Sequence, residues 1–356
     1  MANSYGENLT LSIFGTSHGP EIGMTLEGIP AGLPVDLENL QQFMNRRAPG
    51  RNDWSTARKE ADVPHFLSGV TDGCTNGDAI HAVIYNQNVR SSDYDALKYI
   101  PRPGHADFTA WSKYGLDFDM AGGGPFSGRM TAPLCIAGGL CKQWLGKIGI
   151  CIGAHIALMA GCGDDTFDPV APQLDALSPD FPVLNESCGI AMREAIAEDK
   201  MNGDSSGGII ECAVTGLPAG LGGPLFGGVE SHIAQIIYSI PAVKGLDFGY
   251  SLTAIDGKGS FCNDAYTIRD GKVVTLTNYC GGILGGITNA MPVIFQTYFK
   301  PTPSIAKPQK SVNLKTMEEV TIAIKGRHDP CIVPRAVPVV EAAAAIAIYD
   351  LILGGI

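Results

Sequence analysis

A seven-residue phrase occurs twice in this chain. Glu27-Gly28-Ile29-Pro30-Ala31-Gly32-Leu33 returns in the second half as Thr215-Gly216-Leu217-Pro218-Ala219-Gly220-Leu221. A mostly apolar, strand-like run precedes each copy, Ile22 to Leu26 and Ile209 to Val214. A helical pattern follows each, Leu37 to Asn45 and Val229 to Ser239. A common Gly-Pro turn recurring by chance would not bring matching flanks with it. The phrase therefore reads as a duplicated strand–turn–helix unit, at about 20–45 and 208–240. Two copies are too few for a solenoid, which needs at least ~3 stacked repeats. One domain over residues 1–356, built from two pseudo-symmetric halves, is the expected organisation.

Further elements follow from local pattern. Asp78 to Ile84 reads as a strand, Ala132 to Leu145 as a helix of small and apolar residues, and Ile148 to Met159 as a buried strand. Residues 163–186 are polar, Pro-rich and acidic, which suits a surface excursion, and Tyr279 to Gly286 carries two Gly pairs. Val337 to Leu353 is helical, with four successive alanines that allow close packing. Glu341 and Asp350 interrupt this apolar stretch, so it reads as a buried helix; no run reaches the ~18 apolar residues of a membrane span. No linker or low-complexity segment divides the chain.

Composition excludes several function classes. The net charge of −11 comes with no basic stripe, which argues against a nucleic-acid partner. Charged residues make up 17%, below the usual ~25%, and glycines number 45, which together suggest much surface buried between subunits. Ten cysteines contain no C-x-x-C pair, so a zinc knuckle, metal site or redox dithiol is not expected. Several, such as Cys135 and Cys151, sit in apolar runs where a reduced thiol behaves as a small hydrophobe. The N-terminus lacks a signal-peptide core. The expected location is the cytoplasm, with no membrane partner.

Three of the seven histidines lie in glycine-bordered, charge-bearing segments: Gly15-Thr16-Ser17-His18-Gly19-Pro20, Arg102-Pro103-Gly104-His105-Ala106-Asp107 and Gly326-Arg327-His328-Asp329-Pro330. Histidine changes charge near pH ~6.5, glycine lets main chain approach a ligand, and arginine grips phosphate or carboxylate. Three such segments point to one composite anion-handling site. Of eleven arginines, only Arg193 and Arg269 fall between residues 130 and 326; a solvated cationic face or a local cationic pocket both fit that clustering. The loop Ala121-Gly122-Gly123-Gly124-Pro125-Phe126-Ser127-Gly128-Arg129 precedes a helix, where backbone N–H groups suit phosphate, although a Gly run is more often a tight turn. P-loop, dinucleotide, nucleophile-elbow and zinc-helix motifs are all absent. His65, His81, His155 and His232 are isolated and read as structural or surface groups.

Together these segments resemble the chorismate synthase family. The matching stretches are Phe14-Gly15-Thr16-Ser17-His18-Gly19, Arg46-Arg47-Ala48-Pro49-Gly50, Arg58-Lys59-Glu60, Leu67-Ser68-Gly69-Val70, Arg102-Pro103-Gly104-His105-Ala106-Asp107, Gly122-Gly123-Gly124, Gly281-Gly282-Ile283-Leu284-Gly285-Gly286, Lys300-Pro301-Thr302, and Gly326-Arg327-His328-Asp329-Pro330-Cys331 running on to Arg335-Ala336-Val337-Pro338. They stand in family order along nearly the whole chain. The resemblance implies an α+β fold, a β–α–β sandwich of antiparallel sheets enclosing helices, with two pseudo-symmetric halves and a homotetrameric assembly. It implies a lyase of the shikimate pathway to aromatic amino acids: anti-1,4-elimination of phosphate from 5-enolpyruvylshikimate 3-phosphate to give chorismate. Reduced FMN is required although the reaction is redox-neutral; the flavin lends electron density while phosphate leaves.

By family position, Arg47, Arg102, Arg129 and Arg327 hold substrate anions, with Arg46 and Arg335 in a second line. His105 protonates or stabilises the leaving phosphate. His18 keeps the reduced flavin productively protonated. Asp329 works with flavin N5 in removing the C6 proton, helped by the raised pKa of a carboxylate in a closed apolar site. FMN contacts fall on Pro125, Phe126, Ser127, Pro241, Ala242, Gly285, Lys300, Pro301, Thr302, Pro303, Ser304 and Arg327.

Departures from the family pattern mark a divergent branch. Pro125-Phe126 replaces Arg-Ser after the three glycines, Met130 replaces a Glu, Asp53 stands where an Arg is usual, and Pro241 replaces an Asn. Some family members carry their own flavin reductase; no extra domain is visible here, so a monofunctional enzyme supplied by an external reductase, with NADPH acting only indirectly, is expected. The same departures leave a second reading, a non-catalytic flavin- or phosphate-binding protein on the family scaffold.

Overall fold

Leu11 and Ile13, then Ile22, Met24 and Leu26, alternate with residues turned the other way, the period of a strand with one buried face. In the computed structural model, which describes residues 4–52, 54–55, 60–86, 98–250, 256–324 and 329–355, these runs build an antiparallel five-stranded sheet. Its strands are β1 (Ser4–Tyr5), β2 (Thr10–Gly15), β3 (Glu21–Glu27), β4 (His65–Ser68) and β5 (Ile80–Tyr85), in the order β1-β2-β3-β5-β4. A second antiparallel sheet of five strands comprises β6 (Cys151–Met159), β7 (Cys162–Gly163), β8 (Gly208–Thr215), β9 (Val243–Phe248) and β10 (Val293–Phe299), in the order β9-β10-β8-β6-β7.

The helices are α1 (Leu37–Arg47), α2 (Asp107–Tyr114), α3 (Thr131–Lys147), α4 (Glu186–Met201), α5 (Val229–Ile237) and α6 (Val333–Leu353). Helix α3 packs against the first sheet and α6 against the second, and the two pack on each other. The result is the sandwich of sheets around helices, an α+β fold. A helix apolar on every side must be buried on every side, and both meet that condition: α3 from Thr131 to Cys141 and α6 from Ala336 to Leu351 are continuously buried. Helix α6 is long and apolar enough to cross a membrane, but 89% of its apolar window is buried within the protein. It starts at Val333, earlier than its apolar pattern indicates. Pro334 sits in the first turn, where no N–H is needed.

The two copies of the repeated phrase occupy matching places. Strands β3 and β8 are each third in their sheet, and Gly28 and Gly216 after them both have φ of 81°. A Cβ on Gly28 would lie 2.6 Å from the carbonyl oxygen of Asn8, and one on Gly216 would fall on that of Gly149; both carbonyls belong to the chain entering the adjacent strand. One threonine staples each turn. Thr75 Oγ1 accepts from Leu33 N (2.9 Å) and donates to Pro30 O (2.7 Å); Thr288 Oγ1 accepts from Leu221 N (3.0 Å) and donates to Pro218 O (2.6 Å).

Residues 164–185 run outside the second sheet but are not merely a surface excursion. Phe167 and Phe181 are buried, and Pro182 O accepts from Ile156 N (2.9 Å). His155 ties this segment down, lying 3.2 Å from Asp164 and 2.9 Å from Glu211 with no exposure. All ten cysteines are free; Cys135, Cys141, Cys212 and Cys331 are buried, whereas Cys151 is exposed.

Small residues and one carboxylate hold the helical layer. Gly138 of α3 faces Ala342 of α6 so closely that a Cβ there would fall on the Ala342 backbone. Glu341 of α6, almost fully buried, accepts two parallel bonds from Arg46 of α1 (both 2.8 Å) and one from Lys142 of α3, and it also meets Ala154 N of β6 (3.3 Å). Gly138→Ala should destabilise by about 1–3 kcal/mol by overpacking, despite the up to ~1 kcal/mol that alanine usually gains over glycine in a helix. Thermal unfolding checks this, and an unchanged or raised Tm would contradict the contact. Burial pushes the Glu341 carboxyl up, but the charges and hydrogen bonds of Arg46 and Lys142 outweigh it and hold the group down at about 2. A lowered folded-state pKa stabilises above the unfolded value of 4.5 and loses that contribution as pH falls from there toward about 2. Glu341→Gln should flatten that part of the stability–pH curve and cost on the order of 3 kcal/mol at neutral pH by leaving two cations unpaired. An acid slope equal to the parent's would contradict it.

Candidate active site

A cavity of about 670 Å³ opens where the β2–β3 loop, the end of α1, the turn entering α3 and the segments flanking β9 and β10 meet. Arg47, Arg102, Arg129, Arg335, Lys244 and Lys300 line it, and Asp329 is the one carboxylate on its wall among the described residues. Ile240, Val243, Phe299, Ile332 and Val339 supply an apolar side.

His18 and His105 enter from separate loops and meet the same turn. Gly122, Gly123 and Gly124 have φ of 60°, 90° and 51°, a left-handed run that side chains rarely adopt. A Cβ on Gly122 would fall on the His18 ring, and one on Gly123 would lie 3.1 Å from Cε1 and Nε2 of His105. The glycines are therefore the shared seat of two imidazoles. Ser17 N donates to Gly124 O (3.4 Å), which fastens the His18 loop to this turn, and His18 Nδ1 lies 3.2 Å from Ser17 Oγ.

Each lining arginine has a carboxylate partner. Arg47, the last residue of α1, donates to Thr131 Oγ1 (3.2 Å) and Gly128 O (2.9 Å) and pairs with Asp62. Arg129 pairs with Asp62 and Glu60 and donates to Asn86 Oδ1 (3.1 Å). Asp62 is fully buried between the two guanidinium groups, at a left-handed φ of 50°. Burial pushes its carboxyl up, yet Arg47 and Arg129 bring it below the usual range. Arg102 pairs with Asp107 (2.7 Å) and reaches Ser304 Oγ (3.5 Å). Arg335, in the first turn of α6, pairs with Asp329 and donates to Arg47 O (3.0 Å).

Of the residues expected to meet a flavin, Pro125, Phe126, Ser127, Pro241, Ala242, Lys300, Thr302, Pro303 and Ser304 line the cavity. Pro301 lies between two of them but is exposed. Gly285 does not join them: it forms an exposed turn (φ 62°) between Ile283–Leu284 and Ile287–Asn289. Arg46 turns away to Glu341 and lines a different cleft, because consecutive helical residues point ~100° apart. Asp329 has a salt-bridged setting, not the apolar one expected. Arg327, His328, Asp53, Arg58 and Lys59 lie outside the described residues. His65, His81, His155 and His232 are absent from the lining.

Sequence reasoning did not single out Lys244, Ser17, Thr131, Tyr238 or Asp62. Lys244 follows Pro241-Ala242 closely and Thr131 follows Arg129, so proximity was an available signal for those two. For Asp62 there was none, since its partners come together only in space.

The arrangement suits a ligand with several anionic groups and an apolar body. Thr302 Oγ1 is buried on this wall without a hydrogen-bond partner, and a phosphorylated, partly apolar cofactor such as a flavin nucleotide would satisfy it beside Lys300.

Comparison with known proteins places the chain. The chorismate synthase family profile matches residues 9–353. The chorismate synthase of Lancefieldella parvula is 44% identical over 98% of this chain and 96% of its own. Those of Korarchaeum cryptofilum and Thermococcus kodakarensis are each 43% identical over 98% of this chain and 97% of theirs. A crystal structure of a chorismate synthase, 26% identical, superposes with a TM-score of 0.76 over 98% of this chain and 92% of that one.

Asp62→Asn should leave Arg47 without a carboxylate and Arg129 with Glu60 alone. A loss on the order of 3 kcal/mol is expected from breaking a buried charge network. Denaturant unfolding reads it directly, and a wild-type midpoint would contradict the role given to Asp62.

Proposed function

The chain belongs to the chorismate synthase family, and on that premise we propose how its cavity performs the family's reaction. The enzyme is a lyase of the shikimate pathway that converts 5-enolpyruvylshikimate 3-phosphate to chorismate and phosphate by anti-1,4-elimination. The observation that carries the residue assignment is the meeting of His18 and His105 on one glycine turn inside a cavity lined by four arginines.

Arg47, Arg102, Arg129 and Arg335 bind the phosphate and two carboxylates of the substrate, with Arg327 assigned by family position. Paired guanidinium forks suit such groups because two parallel N–H bonds fix orientation as well as charge. His105 holds a proton on Nε2 for the departing phosphate oxygen. Asp329 receives the C6 proton, with Arg335 fixing its carboxylate. His18 sits across the glycine turn and maintains the protonation state on the cofactor side. Pro125, Phe126, Ser127, Pro241, Ala242 and the 300–304 segment would hold reduced FMN, with Thr302 and Lys300 available as polar contacts. When bound, reduced flavin would supply transient electron density to the allylic system. The chain's apolar wall excludes water and oxygen from that chemistry.

An external reductase supplies the reduced flavin in this proposal, with NADPH acting only through it. We read the two sheets as halves of one duplicated domain and the assembly as a cytoplasmic homotetramer. Leu225 and Phe226, 84% and 90% exposed on one loop, support burial between copies.

An anaerobic assay with reduced FMN and substrate tests the reading. His105→Ala and Asp329→Asn should each lower turnover about 10²-fold or more, as loss of general acid–base groups does. Near-normal rates in either would overturn its role. Flavin and substrate binding without elimination would favour a binding protein instead, a reading suggested by Pro125-Phe126 in the flavin loop.

A further inference from the structure

We propose that Asp107 is a positioning residue for the elimination, one carboxylate that fixes both the His105 ring and the Arg102 fork at the leaving phosphate. This deepens the reading of His105 above and rests on it. Asp107 is the first residue of α2 and is 3% exposed. It accepts from Arg102 three times, from backbone N (2.9 Å), Nε (2.7 Å) and Nη2 (2.7 Å), and its Oδ1 lies 2.9 Å from His105 Nδ1. Its base is firm: Ala110 and Trp111 of α2 are buried with Met120, and Trp111 Nε1 donates to Phe118 O (3.1 Å).

The contact settles which ring nitrogen carries the fixed proton. Burial pushes the Asp107 carboxyl up, but hydrogen bonds from Arg102 and His105 hold it well below the usual range, so it is ionised. A carboxylate oxygen 2.9 Å from Nδ1 requires a proton between them. Arg102 Nη2 is also 3.1 Å from Nδ1 and has a second N–H beyond the one on Asp107 Oδ1, but a bare lone pair on Nδ1 would still face the ionised Asp107 oxygen 2.9 Å away. Nδ1 is therefore the donor, and Nε2, at the edge facing Gly123, is the position that exchanges protons with a ligand. When the C–O bond breaks and its electron pair goes to phosphate, Nε2 gives its proton to a phosphate oxygen. The ring is left neutral, still protonated on Nδ1 against Asp107.

Charge gives a second reason. Arg102 on the same loop, Lys300 with its Nζ on Gly104 O, and His18 across the glycine turn face His105, and each adds or can add positive charge. An imidazolium among cations loses its proton readily. The Asp107 carboxylate, paired with Arg102 and 2.9 Å from His105 Nδ1, offsets that positive charge beside the ring.

Asp107→Asn is the test, measured by anaerobic turnover across pH together with thermal unfolding. It should lower kcat about 10²-fold with a smaller, few-fold rise in KM. The pH limb that requires protonated His105 should move to lower pH by about a unit. Nitrogen-15 NMR should show His105 losing its preference for the Nδ1–H form. In a His105→Ala background the same substitution should cost far less, the non-additivity expected of coupled residues. Asp107→Glu should restore part of the pH limb. Full activity in Asp107→Asn, an unshifted pH limb, or an equal loss in the His105→Ala background would each overturn the inference while leaving the reading of His105 intact. A near-normal His105→Ala would overturn both. The NMR tautomer and the pH limb keep the test decisive if Asp107→Asn also loses thermal stability.

Discussion

Like charges confined to one cavity repel, and the site depends on solving that problem without spoiling its affinity for anions. Three aspartates do so from behind or beside the wall. Asp62 holds Arg47 and Arg129, Asp107 holds Arg102, and Asp329 holds Arg335. Asp62 and Asp107 are absent from the lining, so Arg47, Arg129 and Arg102 line the cavity while these counter-charges do not; Asp329 alone shares the wall with its arginine. In the proposed reading, a substrate with three anionic groups would meet preorganised donors, with little reorganisation left for the reacting complex.

The fold supplies that geometry from distant parts of the chain. Arg47 ends α1, Arg335 begins α6, and Arg335 Nε donates to Arg47 O, so the two helices meet at the cavity. Behind them, Glu341 joins α1 to α6 and α3 through Arg46 and Lys142. The adjacent residues Arg46 and Arg47 thus divide the work, one fastening the helical layer and the other lining the site. Glycines set the approach distances: Gly138 between helices, and Gly122 and Gly123 beneath the two histidines.

Much of this was legible in the sequence where backbone conformation demands one residue type. Gly28 and Gly216 stand out because both adopt φ of 81° beside a neighbouring carbonyl, so their repetition marked equivalent turns. The histidine and arginine segments were readable for the same reason, since glycine and proline frame them. Thr75 and Thr288, which staple the equivalent turns, were not, because a threonine hydroxyl has no sequence signature when its partners are far away. Asp62 escaped notice for that reason. Gly285 and Arg46 stand away from the cavity lining: each belongs to a motif of the family, but motif membership does not say which way a turn or a helical side chain points. The setting of Asp329 was likewise hidden until Arg335 was seen beside it.

The central claim is that His105 presents Nε2 to the departing phosphate while the arginines fix the substrate's anions. A crystal structure of the ternary complex with FMN and 5-enolpyruvylshikimate 3-phosphate tests it most directly. The substrate phosphate should lie within hydrogen-bond distance of His105 Nε2, with Nδ1 still on Asp107 and the anionic groups on Arg47, Arg102, Arg129 and Arg335. A phosphate bound away from His105, or an imidazole turned to offer Nδ1, would contradict the account.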